Sequence, residues 1–363
     1  MIYFDNAATT PLDDSVLAAM IPYFKNAFGN PQSPHSAGRA ANEALISARD
    51  NIARVFGCNS GSVYFLSGGT EAGNLAVKGV CAAHGKGHIV VSAIEHPAVL
   101  ESARDMQKLG FELTEIAPDS RGIISPESVE AAIRPDTVFC ALMAVNNETG
   151  TIQPYKEIGG ICKKRGVFYY CDFVQAVGLM PFPTEYCSAF AVSAHKFYGP
   201  KGAAAMYVAP NNAISRLISG GRQERGLRGG TVNVAGVVGL SKALELATSG
   251  RNLPPLKKLL LDLIENQFPS AELNGDREHS VPTIANISFK GMSGANLASC
   301  LDLKGICVST GSACSAGAPM PSHVICAIAG DERANGAVRF SFGKYNTEDE
   351  VRKTVKVLKE ILK

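Results

Sequence analysis

Six short apolar runs between residues 62 and 208 constrain this chain more than anything else in it. They are SVYFL (62–66), HIVVSA (88–93), VFCALMAV (138–145), VFYYC (167–171), AFAVSA (189–194) and GAAAMYV (202–208). Each is short, rich in apolar, β-branched or aromatic residues, and bounded by Gly, Pro or polar residues, the pattern of a buried strand. Amphipathic stretches lie between several of them: TEAGNLAVKGVCAAH, EHPAVLESARDMQKLG, SPESVEAAI and YKEIGGICKKRG. Strand and helix in alternation predict an open, mostly parallel α/β sheet with helices on both faces. A helix over SAGRAANEALISARDNIARVFG precedes the sheet. After VNVAGVVGLSKALELATSG the pattern changes. LPPLKKLLLDLIENQF and TEDEVRKTVKVLKEIL read as helices, while TIANISFK and AVRFSFG alternate like half-buried strands. This predicts a smaller α+β domain from about residue 250 onward.

Composition narrows the class. A chain of 363 residues suits about two domains, and 46% hydrophobic residues suffice for a large core. A net charge of +2 is too small to point to nucleic acid. The N-terminus MIYFDNAATTPLDD has neither a basic region nor an apolar stretch of signal-peptide kind, and no apolar run is long enough to span a membrane. No two of the ten cysteines form a C-x-x-C pair, which argues against a zinc site or a thioredoxin motif. Most lie in apolar runs and read as reduced, small core side chains of a cytoplasmic protein.

The chemistry lies where the apolar runs stop. SGGTEAGNLA (67–76) turns from strand into helix at Gly68 and Gly69, with a helix start at Thr70 or Glu71. Free N–H groups there suit a phosphate, with the Thr70 hydroxyl as a further donor; the alternative is a plain turn with Thr70 as N-cap. SAHKFYGPKG (193–202) places Lys196 directly after a strand, beside Ser193 and His195, where partial desolvation suits a Schiff-base lysine. YCDFVQAVG (170–178) ends a strand on Asp172, which can hold a ring nitrogen protonated or simply cap a turn, and Gln175 can donate to a ring oxygen. IEHPAV and AVNNETG put His96 and Asn147 after two further strands. Polar groups converging on one sheet edge have the form of a cofactor site. His84 and His88 are expected to be solvated, and His279 and His323 to lie in loops.

These motifs resemble those of the cysteine desulfurases (NifS/IscS-like), in the class V aminotransferase group of pyridoxal-phosphate enzymes of fold type I. The resemblance runs through YFDNAATTP, GNPQSPHSAGRAA, SGGTEAGNLA, VNNETGTIQP, DFVQAVG, SAHKFYGPKG, GGRQERGLRGGT, STGSACSAG and VRFSFG, nearly the whole chain. It implies a large cofactor domain over 13–249 and a small domain formed by 1–12 with 250–363. It also implies pyridoxal 5'-phosphate held covalently on Lys196, with Asp172 on the ring nitrogen, Gln175 on the ring hydroxyl and His96 over the ring, moving protons. Gly69, Thr70, Ser193 and His195 would hold the phosphate, joined across a homodimer interface by Thr231. Asn147 would orient cofactor and substrate, and Arg339 would clamp the substrate carboxylate.

The stretch STGSACSAGAPMPSH (309–323) contains Cys314 among small residues unable to build a core. It resembles the long-loop class of the family, in which such a cysteine accepts sulfur from L-cysteine as a persulfide, leaves L-alanine, and passes the sulfur to an iron–sulfur scaffold or another carrier. Cys314 is therefore expected to be mobile and solvent-reachable. Selenocysteine lyase or another class V lyase or aminotransferase is the enzymatic alternative, and a degenerate partner protein the non-enzymatic one. Three departures from the family pattern are Phe173, Arg222 and Val232.

Overall fold

The computed structural model describes residues 1–250, 254–311 and 321–362. Among them are the strands β1 (Ile2–Tyr3), β2 (Val63–Leu66), β3 (His88–Ser92), β4 (Glu112–Ile116), β5 (Thr137–Ala141), β6 (Phe168–Asp172), β7 (Ala189–Ser193), β8 (Ala204–Val208), β9 (Ala271–Asn274), β10 (Ile284–Phe289), β11 (Ile306–Cys307) and β12 (Ala337–Ser341). The six apolar runs form β2, β3, β5, β6, β7 and β8, and one further strand, β4, completes a seven-stranded sheet in the order β2-β8-β7-β6-β5-β3-β4. All its neighbours pair parallel except β8, which runs antiparallel to both β2 and β7. Two reversals restore the direction, so β2 points the same way as β3, β5, β6 and β7.

The strands are apolar throughout because both sheet faces are covered. On one face, side chains such as Ile89, Val91, Phe139 and Tyr170 meet Leu75, Val77 and Val80 of the helix Gly69–His84. On the other, Val90, Cys140, Tyr169 and Phe190 meet a cluster that includes Ile52 and Phe56 of the helix Ser36–Phe56 and Leu240 and Leu244 of the helix Val234–Thr248. Full burial of each large side chain stabilises the fold by roughly 1.5–3 kcal/mol. Phe173, one of the departures, is fully buried and packs its ring among those of Tyr155, Phe182 and Phe190.

Residues beyond the main sheet form a three-stranded antiparallel sheet, β12-β10-β9, and a short parallel pair, β1-β11. Ile2 and Phe4 join one apolar cluster with Leu256, Leu260, Val338, Phe340, Val355 and Leu358. The chain's first residues therefore pack with its last hundred. The helix Glu348–Ile361 starts in a reciprocal capping box between Thr347 and Glu350, which satisfies backbone donors that the first turn leaves unpaired.

Two expectations need correction. His88 is buried, not solvated: its ring bridges Thr137 Oγ1 and Thr114 Oγ1, both at 2.8 Å, between adjacent strands. His323 does not lie in a loop but opens the helix His323–Ala329.

Candidate active site

Because β2, β3, β5, β6 and β7 share a direction, their C-terminal ends lie along one edge of the sheet. Ligands of open α/β folds bind at that edge. Gly69 and Thr70 follow β2, His96 follows β3, Asn147 follows β5, Asp172 ends β6, and Ser193, His195 and Lys196 end or follow β7.

Lys196 lies in the short 3₁₀ turn Ala194–Lys196. Its Nζ donates to the carbonyls of Ala7 at 2.6 Å and Ala8 at 3.0 Å. Gln175 Nε2 donates to the same Ala7 carbonyl at 2.9 Å. The DNAATT stretch thus forms one wall of the site. Next to it, His195 is fixed by Thr9 Oγ1 on Nδ1 at 3.2 Å. Burial, with Lys196 and Lys201 nearby, holds its imidazole down to about 4, so His195 is neutral at physiological pH.

Asp172 and His96 face each other and Lys196 electrostatically. Burial pushes the Asp172 carboxyl upward, opposed by the Val174 N–H, which donates to its Oδ1 at 2.9 Å, and by His96 and Lys196. Burial pushes His96 downward; Asp172 opposes that, while Lys196 and His323 add to it. His96 Nδ1 also accepts the Ala98 N–H at 3.1 Å and caps the helix Pro97–Lys108. That bond fixes the tautomer: Nδ1 is the acceptor, so a proton on the neutral ring sits on Nε2.

The phosphate side is built on glycine. The helix Gly69–His84 begins one residue earlier than expected, with Gly68 and not Thr70 as its N-cap. Glu71 is turned aside, paired with Arg228 at 3.0 Å and accepting from Ser67. A Cβ on Gly69 would come within 3.2 Å of Val174 Cγ2 and 3.9 Å of Ser193 Cβ. Backbone N–H groups at this helix start, the Thr70 and Ser193 hydroxyls, a neutral His195 and a lysine amine form a donor set that fits a phosphorylated aldehyde. Asp172 fits a cationic ring nitrogen: it is a buried carboxyl whose Oδ1 accepts the Val174 N–H.

The opposite wall comes from β12. Arg339 is buried, and its guanidinium donates to the Asn147 carbonyl at 2.9 Å and to Asp5 Oδ1 at 2.8 Å. Its Nε has no hydrogen-bond partner among the described residues. Two of the five guanidinium N–H donors of the expected carboxylate clamp are therefore already engaged, and the buried Nε–H is not. Asp5 was not foreseen in this role.

Three more groups had no role assigned from the sequence. Glu95, beside His96, is fully buried; its Oε1 accepts from Ser92 Oγ and the Met143 N–H, both at 2.7 Å, and burial pushes it up to about 8. Glu148, beside Asn147, is fully buried and accepts from Ser322 Oγ. His323 Nε2 lies 3.0 Å from the Glu95 carbonyl, which can only accept, so this nitrogen carries the proton. Thr231 is exposed in the stretch before the helix Val234–Thr248. Cys314 lies outside the described residues.

A family model for class V aminotransferases matches residues 2–354. The cysteine desulfurase IscS of Dictyoglomus turgidum is 42% identical, over 99% of this chain and 94% of that protein. A solved NifS-like protein superposes with a TM-score of 0.92 at 37% identity, covering 99% of both chains. A structure described as SspA in complex with cysteine gives a TM-score of 0.85 at 33% identity, over 96% of this chain and 100% of the other. The chain belongs to the class V aminotransferases, enzymes that work with pyridoxal phosphate. Within them it stands among the NifS/IscS-like cysteine desulfurases.

Proposed function

We propose that this chain converts L-cysteine to L-alanine, with Lys196 as the covalent anchor of pyridoxal phosphate and Cys314 as the acceptor of the sulfur. The observation that carries the reading is the placement of the Lys196 amine between the Ala7 and Ala8 carbonyls, within electrostatic reach of Asp172 and His96. When bound, pyridoxal phosphate supplies an electron sink that labilises bonds at the substrate's Cα and Cβ. Asp172 would hold the ring nitrogen and Gln175 the ring hydroxyl. Gly69, Thr70, Ser193 and His195 would hold the phosphate, with His195 donating as a neutral imidazole.

The remaining work falls to the chain's own side chains. Arg339 and Asn147 orient the substrate through its carboxylate. Lys196 moves the proton at the substrate Cα, and His96 moves the proton of the substrate thiol. The Cys314 thiolate attacks the substrate sulfur: an S–S bond forms, the Cβ–S bond breaks, and its electron pair stays with the carbon, which is protonated to alanine. The oxidised sulfur leaves as a persulfide for an acceptor protein, such as an iron–sulfur scaffold or another sulfur carrier.

Leu17, Ile21, Phe24 and Phe28 are all more than a third exposed along and just past the helix Asp14–Lys25. This apolar stripe supports a homodimer in which Thr231 reaches the partner's phosphate. We place the domain division at 12/13 and 249/250, and the protein in the cytoplasm; among the described residues no helix is long and apolar enough to cross a membrane. The test is to mix the protein with L-cysteine and follow alanine and the persulfide by mass spectrometry. Cys314→Ser is expected to keep the cofactor's absorbance response to cysteine and to lose sulfur transfer. Transfer at the wild-type rate by that variant would remove Cys314 from the mechanism.

A further inference from the structure

Glu148 is a buried carboxylate that the proposed chemistry does not use, yet it sits at the meeting point of three separate segments. Its Oε2 accepts the Ser322 hydroxyl, and its Oε1 has no hydrogen-bond partner among the described residues. Gly311 packs on the same carboxylate: a Cβ there would lie 3.1 Å from Glu148 Oε2 and 3.1 Å from Ser322 Cβ. Gly311 also has φ +118°, in the region that favours glycine. Gly311 and Ser322 flank, in the sequence, the stretch that contains Cys314, and both lie against Glu148.

Both flanks continue into the site. On one side, Ser309 Oγ donates to the Gly311 carbonyl at 3.1 Å, and the Ser309 backbone exchanges hydrogen bonds with that of Arg339 at 2.6 and 3.2 Å. On the other, Ser322 Oγ accepts the Ile325 N–H at 3.2 Å, which starts the helix His323–Ala329, and His323 then donates to the carbonyl beside His96. Glu148 itself follows Asn147, whose carbonyl holds the Arg339 guanidinium. One carboxylate thus joins Gly311 and Ser322 to the residues assigned to the substrate's carboxylate and thiol.

We propose that Glu148 is a positioning residue for sulfur transfer: by receiving Ser322 and backing Gly311, it fixes the two anchor points from which Cys314 is presented. The inference rests on the reading of Cys314 as the sulfur acceptor. The role requires an acceptor oxygen at position 148 rather than a negative charge. Glu148→Gln keeps such an oxygen, and Glu148→Ala removes it. Ser322→Ala removes the donor with the least disturbance of packing.

The experiment uses the holoenzyme, L-cysteine and rapid-quench mass spectrometry of the Cys314 persulfide, with the cofactor's absorbance response recorded in parallel. Ser322→Ala and Glu148→Ala are expected to slow persulfide formation by about 10- to 100-fold, while KM for L-cysteine and the absorbance response stay within about threefold. Glu148→Gln is expected to recover to within about threefold of wild type. If Glu148→Ala does not fold, Ser322→Ala and Glu148→Gln carry the test. Wild-type persulfide formation in Ser322→Ala overturns the proposal, as does an equal loss of absorbance response and persulfide, which marks a merely structural role. Cys314→Ser run alongside separates the two claims. If it still transfers sulfur, the Cys314 reading fails. If it is inactive while Ser322→Ala is normal, only the Glu148 inference fails.

Discussion

The two walls of the cleft are built in different ways. On the sheet edge, each polar group directly ends or follows its own apolar strand, as Lys196 does β7 and Asp172 does β6. On the opposite wall, Arg339 meets Asp5 and Asn147, positions 334 and 192 residues away in the chain. The first wall is a local consequence of strand direction, because any residue ending a parallel strand arrives at the same edge. The second exists only once the small sheet has docked and the N-terminal stretch has crossed to it. The groups proposed to hold the cofactor therefore lie on the locally built wall, and the proposed clamp on the substrate carboxylate, Arg339, lies on the one assembled over long range.

The largest effect that tests this contrast is on the local wall. Lys196→Ala is expected to abolish the borohydride-reducible chromophore and to reduce alanine formation on the order of 10⁴-fold. Its urea midpoint should stay close to that of wild type, since the side chain is only partly buried and bonds to backbone carbonyls. A retained covalent chromophore would place the cofactor on another residue.

Arg339→Ala tests the other wall and should fail differently. It leaves the Asp5 carboxylate without its 2.8 Å partner, in a site where Arg339 itself is 3% exposed. Breaking a buried pair from one side costs roughly 3–5 kcal/mol, so urea unfolding should reveal a clear loss of stability. KM for L-cysteine should rise as well. A variant with unchanged stability would show that the long-range wall is not held by this pair. Asp5→Asn is milder, because the amide oxygen still accepts from the guanidinium. It should raise KM by about tenfold, equivalent to about 1.4 kcal/mol, with the cofactor spectrum unchanged.

The same difference explains what can be read from the chain before folding. Six of the seven main strands are legible because they are apolar on both faces, and Lys196, Asp172, His96 and Asn147 are legible because they follow them. β4 escapes because ELTEI is an edge strand of mixed polarity, with two of its five residues exposed. β1 and β11, of two residues each, carry no period at all. Asp5, Glu148 and His323 escape for the reason Arg339's partners do: their significance comes from residues that only the tertiary fold brings near. Glu95 left a faint signal. A carboxyl between the apolar Ile94 and the strand-end His96 has little room to reach water.

Glu95 also supplies the smallest and most specific test. It lies on the local wall, behind His96, and burial pushes its carboxyl up to about 8 from an ordinary 4.5. Between those values the folded chain holds a proton that the unfolded chain has released. Stability therefore falls as pH rises from about 4.5 toward 8, with a limiting slope of about 1.4 kcal/mol per pH unit, and levels off above 8, where both states are ionised. His195, held down to about 4, works in the opposite sense, since its neutral form is the one the fold accepts. Its contribution is lost as pH falls from 6.5 through 4. Urea unfolding from pH 6.5 to pH 9, above the range in which His195 titrates, should thus decline toward pH 8 in the wild type and flatten in Glu95→Gln, which keeps an oxygen for Ser92 and Met143 and cannot ionise. An identical alkaline slope in the two proteins would show that Glu95 is already ionised in the fold. Its charge would then stand behind His96, and the local wall would carry two carboxylates rather than one.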